Sequence, residues 1–303
     1  ARAVAAKLDM PYYVFNFKED FGRQVMDRFV AAYETGCTPN PCIDCNRFLK
    51  FDRMYRRARE LGIGYVVTGH YARIQQSETG RWLLLKGPDP QKDQSYVLYA
   101  MTQEQLAHTQ FPLGALRKEE VRAIAAAQGF INAKKHDSQD ICFVPDGDYA
   151  AFIRRRTGRT YPEGDFVDTT GRILGRHRGI IHYTIGQRRG LGVSGGRPLY
   201  VKEIRPADNT VVLAEEHQLY APTAIARDFN WIAWEAPAVP IRVQARARYH
   251  QPEQDATAFV LPDGRVQVTF DRPQRALTKG QAIVLYQADV VIGGGTIEEI
   301  QET

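Results

Sequence analysis

The first half of the chain alternates short apolar runs with longer stretches in which apolar residues recur at helical spacing. The apolar runs predict strands at 12–17, 65–74 and 81–87. The helical stretches lie at 21–36, 46–62 and 116–130, each with a glycine close to its C-terminal end, where helices commonly stop. This alternation is typical of an α/β domain built on a largely parallel sheet.

The pattern changes after about residue 155. Residues 158–216 are rich in glycine and arginine and predict short strands joined by turns, and every segment from 222 onward alternates with the period of a strand. The last part therefore predicts a small β-barrel. We expect an α/β domain over 1–154, a central basic β-rich domain over 155–221 and a C-terminal β-barrel over 222–303.

The chain of 303 residues carries a net charge of +5, and the excess lies in its middle. Residues 151–221 contain 12 Lys and Arg against 7 Asp and Glu. Such a concentration suits a phosphate-bearing partner, although a solvated basic surface would look the same. The sequence shows neither an apolar run of roughly 18 residues, as a membrane span needs, nor a signal peptide. We expect a cytoplasmic protein that does not bind a membrane.

Three of the four cysteines lie in one segment, Cys37-Thr-Pro-Asn-Pro-Cys42-Ile-Asp-Cys45, directly before a predicted helix. A thiol at a helix N-terminus experiences the positive end of the helix dipole, which favours the thiolate. Arg47 and Lys50 add positive potential. Cys45 is therefore a candidate nucleophile or redox thiol, whereas half of a metal site and an inert pair remain alternatives.

The fourth cysteine, Cys142, follows the polar and acidic string His136-Asp-Ser-Gln-Asp140-Ile. An isolated cysteine is more often an ordinary buried residue than a catalytic one. Together with the distant C-x-x-C pair, however, Cys142 indicates either a nucleophile with a partner thiol or a cluster of three thiolates.

Three further strings suit contacts with a nucleotide or a nucleic acid. The string 68–73, TGHYAR, follows an apolar strand, and ligands bind at the carboxyl ends of strands in open α/β sheets. The string 92–96, KDQSY, offers a lysine, an amide and a hydroxyl for phosphate contact. The string 182–192 combines glycines with paired arginines. Taken singly, these strings also fit a tight turn, a solvated helix cap and a basic β-turn.

Taken together, the motifs resemble those of the tRNA-uridine 2-sulfurtransferases, also called tRNA 2-thiouridylases. The resemblance rests on TPNPCIDCNRFLKF, VTGHYAR, KDQSYVLY, DSQDICF, HYTIGQRRGLGV and the terminal GQAIVLY and GGGTI, and it is collinear over nearly the whole chain. It implies an adenine nucleotide alpha hydrolase-like catalytic domain. It also implies an enzyme that uses ATP and Mg²⁺ to adenylate the wobble uridine, position 34, of tRNAs for Lys, Glu and Gln. A persulfide sulfur from a cysteine desulfurase or a sulfur-relay protein then displaces AMP.

The resemblance also implies roles for individual residues. Cys142 would carry the persulfide, and Cys45 would act as the nucleophile that is its thiol partner. Gly69 would contact ATP. The positions that match contacts to the target base or to other parts of the tRNA are Asn40, Pro41, Cys42, His70, Lys92, Asp93, Gln94, Arg248, Tyr249 and Gln281.

The chain departs from the family pattern in two places. The family's phosphate-binding loop, SGGxDS, is not among these residues, and because the opening ARAVAAKLD has helical spacing without an initiator Met, we expect one βα unit to precede residue 1. Cys42 stands where some members carry Asp. Cys42, Cys45 and Cys142 could therefore ligate a 4Fe–4S cluster that carries sulfur. A non-catalytic tRNA-binding protein is the alternative outside enzymes.

Overall fold

The structure, a computed structural model, describes residues 2–130, 133, 141–193 and 196–302. Its helices are α1 (Arg2–Lys7), α2 (Lys18–Phe21), α3 (Asp27–Glu34), α4 (Pro41–Asp44), α5 (Met54–Glu60), α6 (Gln103–Ala107), α7 (Lys118–Ala127) and α8 (Tyr149–Thr157). Two π-helical segments, Gly22–Met26 and Cys45–Arg53, join α2 to α3 and α4 to α5. Short 3₁₀ turns lie at Ser95–Leu98, Ile180–His182 and Glu216–Leu219.

The α/β part of the described chain contains a parallel pair of strands, β1 (Val66–Val67) and β4 (Thr109–Gln110). The predicted helices are present, and each ends before a glycine with positive φ, as at Gly36, Gly62 and Gly129. The helix expected to start at 46 instead starts at Pro41. Asn40 accepts a hydrogen bond from the Cys42 backbone N–H, and the proline occupies the first helical position, where its missing N–H is harmless.

Two predicted strands of this part were wrong in detail. Residues 12–17 form no strand, and Tyr13 and Val14 are exposed, because no described strand pairs with this run. The run at 65–74 is divided by a loop between β1 and β2 (Ala72–Gln76). The run at 81–87 contains β3 (Trp82–Lys86), which pairs antiparallel with β2 rather than entering a parallel sheet.

The second and third parts are β-rich, as predicted. The central sheet has the order β6-β5-β8-β7, in which only β5 and β8 run parallel. Its strands are β5 (Gly164–Val167), β6 (Ile173–His177), β7 (Tyr200–Arg205) and β8 (Thr210–Ala214). Helix α8, which the sequence pattern did not reveal, buries Phe152 and Ile153 in the same core as the Phe166 side chain.

The C-terminal part is a closed six-stranded barrel with the order β13-β10-β11-β12-β9-β14, closed by pairing of β13 with β14. Its strands are β9 (Tyr220–Trp231), β10 (Ile241–Arg246), β11 (Gln254–Val260), β12 (Val266–Arg275), β13 (Ala282–Gln287) and β14 (Val290–Gln301). The β2–β3 hairpin extends this sheet through the pairing of Leu85 with Val290. The hairpin thereby fixes the barrel against the α/β part. No helix in the described part of the chain is long and apolar enough to cross a membrane.

Candidate active site around three cysteines

The segment that carries Cys42 and Cys45 is rigid at both ends. At the helix start, the Asn40 side chain accepts from the Cys42 N–H at 3.2 Å. One turn later, the buried Asn46 amide donates to the Val97 carbonyl oxygen at 3.1 Å, which ties the helix to the 92–99 segment. The two thiols are thus held on one helical turn whose position is set by hydrogen bonds.

Cys142 comes from a distant part of the chain and lies beside this turn. It is exposed, and its electrostatic effect raises the pKa values of both Cys42 and Cys45. Such an effect requires close approach, so the structure brings together the three thiols singled out from the sequence. All four cysteines are free thiols. The preceding motif residues 136–140 lie outside the described residues.

The electrostatics of Cys45 differ from the sequence-based expectation. Burial is the largest influence and raises the thiol pKa, and the nearby Cys142, Cys42 and Asp44 raise it further, whereas Lys50 alone among the described residues lowers it. The helix begins at Pro41, so Cys45 lies beyond its first turn. The helix dipole acts mainly on groups within that first turn. The resting thiol is therefore mainly protonated, and Lys50 is the cation that favours its anion.

His70, predicted from the family resemblance to contact tRNA, is buried at 6% exposure. Its Nε2 lies 3.3 Å from the Lys50 ammonium and its Nδ1 lies 2.7 Å from the Thr68 hydroxyl. Burial, followed by the charge of Lys50, lowers the His70 pKa to about 3. The imidazole is therefore neutral at physiological pH.

In the string Lys92-Asp93-Gln94, the side chains of Asp93 and Gln94 form hydrogen bonds within the protein. The Asp93 carboxylate is buried and accepts from the backbone N–H groups of Gly87 and Ser95 and from the Ser95 hydroxyl. The Gln94 side chain accepts from the Tyr71 N–H at 3.0 Å. Lys92 is half-buried. Asp93 and Gln94 thus shape the loop that follows β1.

The three predicted contact residues of the barrel point toward the other two parts of the chain. Arg248 donates to the carbonyl oxygens of Ile185 and Ala276 and to the Thr278 hydroxyl. Tyr249 donates to the Asp93 carbonyl oxygen at 3.2 Å, and Cys42 is among the groups that raise its pKa.

Gln281, the third of these residues, donates to the Thr38 carbonyl oxygen at 2.7 Å. Of the three barrel residues, Gln281 thus forms the direct hydrogen bond to the loop that leads into Cys42.

Gly69 lies two residues beyond β1 and is exposed. A Cβ at this position would meet only the Leu113 side chain, at 3.3 Å. The open face beside Gly69 at the carboxyl end of a parallel strand is compatible with a nucleotide, as expected for this type of sheet.

Eight of the 12 Lys and Arg side chains in residues 151–221 form ion pairs within the described residues, so about two thirds of this basic stretch is neutralised within the protein. Arg155, Arg156 and Arg159 pair with Asp146, Asp27 and Glu34. By contrast, Arg188 and Arg189 are exposed, and neither forms an ion pair within the described ranges. These two guanidinium groups stand on a turn with positive φ at both Gly186 and Gly190, which suits contact with phosphate.

The metal alternatives receive no support from the side-chain geometry. Within the described residues, no group of three His, Cys, Asp or Glu side chains is arranged to hold a metal ion. The three thiols therefore do not form a ready cluster site in this arrangement.

Sequence reasoning missed two connections at the site. The Lys50–His70 contact links residues 20 positions apart, and the Asp44–Arg28 ion pair at 3.4 Å links two helices. No spacing in the sequence signals either contact, since both depend on how α3 packs against the helix from Pro41 and on where the loop after β1 returns. A cavity of about 670 Å³ near Gly36 and Ile204 has no cysteine among its described lining residues.

Three family models match successive parts of the chain: "tRNA methyl transferase HUP domain" at residues 1–146, "tRNA methyl transferase PRC-barrel domain" at 150–215 and "Aminomethyltransferase beta-barrel domain" at 222–297. Among curated proteins, the tRNA-specific 2-thiouridylase MnmA of Clostridioides difficile is 48% identical over 99% of this chain and 83% of its own length. The proteins of the same name from Acetivibrio thermocellus and Moorella thermoacetica are each 51% identical, over 98% and 100% of this chain and 83% and 85% of their own lengths.

Proposed function

Because this chain belongs to the tRNA-specific 2-thiouridylase family, we propose that it transfers sulfur to the 2-position of the wobble uridine of tRNA. The substrates are the tRNAs for Lys, Glu and Gln, which follow from the family resemblance. The chain is an enzyme of the sulfur-transferring class, with working thiols at Cys45 and Cys142.

The reaction begins with activation of the base. A uridine carbonyl oxygen is a poor leaving group, and its adenylation with ATP, assisted by Mg²⁺, releases pyrophosphate and makes AMP the leaving group. The contribution of this chain is the exposed Gly69 at the carboxyl end of β1, where the backbone is accessible to a nucleotide. The match to a HUP domain model supports the use of ATP.

Sulfur transfer follows. A persulfide donor, either a cysteine desulfurase or a relay protein, passes its terminal sulfur to Cys142. The Cys45 thiolate then attacks the sulfur attached to the Cys142 Cβ, the S–S bond of the persulfide breaks, and hydrosulfide leaves and displaces AMP from the uridine C2. The resulting Cys45–Cys142 disulfide is reduced by a cellular dithiol before the next cycle. Alternatively, the terminal sulfur of the Cys142 persulfide anion attacks C2 and displaces AMP. The Cys45 thiolate then attacks the Cys142 sulfur, which breaks the S–S bond, releases 2-thiouridine and forms the same Cys45–Cys142 disulfide.

The observation that carries this proposal is that Cys142, although far away in the sequence, lies near enough to Cys42 and Cys45 to raise the pKa values of both thiols. Exposure of Cys142 supports access by a donor protein, and the half-buried Cys45 supports chemistry sheltered from water. Asn40, Pro41 and Cys42 would border the target base.

The tRNA would lie across the three parts of the chain, which we propose to be domains 1–154, 155–221 and 222–303. Arg188 and Arg189 would bind the phosphate backbone. The remaining residues proposed to face tRNA are Lys92, Asp93, Gln94, Arg248, Tyr249 and Gln281. We propose that the reaction takes place in the cytoplasm, where tRNA and reduced thiols are available.

Thiolation of a tRNA transcript by the full-length protein tests the proposal. The protein is supplied with ATP, Mg²⁺ and a persulfide donor, and 2-thiouridine is detected by retardation in a mercury-containing gel. Cys45→Ser and Cys142→Ser should each abolish the product, whereas Cys37→Ser should retain activity. Full activity of either of the first two variants would overturn the role of that thiol. Tight tRNA binding without product in the unaltered protein would instead indicate a non-catalytic binder.

A further inference from the structure

A chain of three side chains leads from the loop after β1 to the cysteine-bearing helix. The Thr68 hydroxyl lies 2.7 Å from His70 Nδ1, and His70 Nε2 lies 3.3 Å from the Lys50 ammonium. Since an ammonium can only donate, Nε2 is the acceptor, and the proton of the neutral imidazole is on Nδ1, which donates to the Thr68 oxygen. The tautomer of His70 is thereby fixed from both sides.

The imidazole itself is held firmly. It is buried and packs against the Phe51 and Phe111 rings, whose centroids lie 5.7 Å and 5.5 Å away. Because its pKa lies near 3, it does not become a second cation that would repel Lys50 at physiological pH. His70 therefore offers the ammonium one acceptor in a single place.

Lys50 differs from the neighbouring arginines of its helix in the groups that surround its charge. Within the described ranges, no carboxylate lies at salt-bridge distance from its ammonium, whereas Arg53 and Arg56, on the same continuous helix, pair with Asp20 and Asp52. In the π-helical segment Cys45–Arg53, backbone bonds join residues five apart, which places Lys50 one turn beyond Cys45. Its charge lowers the pKa values of both Cys42 and Cys45.

We propose that Lys50 supplies the counter-charge for the sulfur anion at Cys45, and that His70 and Thr68 are positioning residues that hold the Lys50 ammonium in place. The inference rests on the proposed function, because it concerns the thiolate that attacks the Cys142 persulfide. The site is half-buried and has other thiols and Asp44 nearby, and among the described residues Lys50 is the cation that acts on the Cys45 sulfur. His70 would accordingly serve the chemistry through Lys50 rather than by contact with tRNA.

Arg47 provides the matched control for Lys50. It lies two residues after Cys45 on the same helix and is exposed. Its charge acts on Asp44 and Tyr99, and it is not among the groups that act on Cys45. Removing this charge changes the net charge of the helix as Lys50→Met does but leaves the local potential at the thiol intact.

Alkylation with a charged and a neutral reagent measures that potential directly. The rates of iodoacetate and iodoacetamide at Cys45 are compared at one pH, with the modified cysteine located by tandem mass spectrometry. Because both reagents react with the thiolate, the ratio of their two rates does not depend on the fraction of Cys45 that is ionised. The ratio therefore reports the charge near the sulfur. We expect Lys50→Met to lower the iodoacetate-to-iodoacetamide ratio by roughly threefold, the effect of one charge at close range in a partly solvated site. Lys50→Arg should largely retain the ratio, and Arg47→Met should leave it unchanged.

The positioning role is tested at His70. His70→Leu removes the acceptor and should lower the ratio nearly as far as Lys50→Met, whereas His70→Gln, which retains an acceptor, should restore it. In tRNA thiolation, both effective changes should lower kcat and leave KM for tRNA unaltered. An unchanged ratio in Lys50→Met, or a His70→Leu defect confined to KM for tRNA, would overturn the inference. Because the alkylation needs no tRNA, it stays informative even if Cys45→Ser proves active in thiolation and the proposed function fails.

Discussion

The side-chain amide of Gln281, directly before β13, donates a hydrogen bond to the Thr38 carbonyl oxygen across 2.7 Å. In return, the Thr38 N–H donates to the Lys279 carbonyl oxygen at 3.1 Å. The barrel thereby holds the loop that leads into Cys42 and Cys45. A barrel more than 240 residues away along the chain thus takes part in positioning the thiols.

Replacing Gln281 by Leu should loosen this loop. The change leaves the Thr38 carbonyl oxygen without its side-chain donor, and we expect the free energy of unfolding to fall by about 1 kcal/mol. The thiolation rate should fall more than stability alone explains, because the position of the thiols is altered. Gln287→Leu, at an exposed position of the same strand, is the control for urea unfolding and activity. Equal behaviour of the two variants would contradict a role for the barrel in holding the loop.

Gly280, next to Gln281, packs closely against the loop that carries Cys37. Its φ is +86°, and a Cβ added there would lie 2.9 Å from the Cys37 Cβ. Gly264 has nearly the same φ, +85°, with nothing within 4 Å of such a Cβ. Gly264→Ala should therefore cost about 1 kcal/mol of backbone strain, whereas Gly280→Ala should cost more and also displace the thiol loop. Urea unfolding and thiolation assays of the pair would show equal losses if the contact with Cys37 is unimportant.

Asn46 should prove important for stability. Its amide is buried and donates to the Val97 carbonyl oxygen at 3.1 Å. Asn46→Ala leaves that carbonyl oxygen unsatisfied and should lower the free energy of unfolding by about 1–3 kcal/mol. Gln301→Ala, at an exposed position, should change stability by less than about 0.5 kcal/mol. A loss in Asn46→Ala no larger than that of the control would show that the helix is held by other contacts.

The pH dependence of stability should carry the signature of His70. The folded protein keeps the imidazole unprotonated down to about pH 3, whereas the unfolded chain takes up a proton near pH 6.5. Between these values the unfolded state binds more protons, so the free energy of unfolding should fall as pH falls, by at most roughly 1.4 kcal/mol per pH unit from this group. Urea unfolding between pH 6 and 4.5 should show a shallower dependence in His70→Gln, with the exposed His250→Gln as control. Identical slopes in all three proteins would contradict the buried, neutral imidazole.

Local sequence patterns predicted which segments form helices and strands better than they predicted which strands pair with each other. The strand period over 222–303 was sufficient to predict the barrel, because half of each strand faces one apolar core. The run 81–87 was correctly read as strand, but its antiparallel pairing with β2 and its link to β14 are tertiary properties.

At the site, too, the sequence predicted the residues better than it predicted their surroundings. Cys45 and Cys142 were found from their neighbours in the sequence, and the structure brings them close together. The expected depression of the Cys45 pKa was wrong, because Asn40 and Pro41 start the helix earlier and because burial outweighs the nearby cation. Burial depends on packing from several distant segments, which no local pattern contains.

The transfer of sulfur from Cys142 to tRNA is the central claim, and a single-turnover experiment tests it most directly. The full-length protein is loaded with radiolabelled persulfide from a cysteine desulfurase, freed of the donor, and mixed with ATP, Mg²⁺ and tRNA. We predict that the label leaves Cys142 and appears in 2-thiouridine at the same rate. Cys142→Ser should accept no transferable label. Cys45→Ser should retain its label without delivering it through hydrosulfide. Appearance of labelled 2-thiouridine with Cys142→Ser would contradict the account.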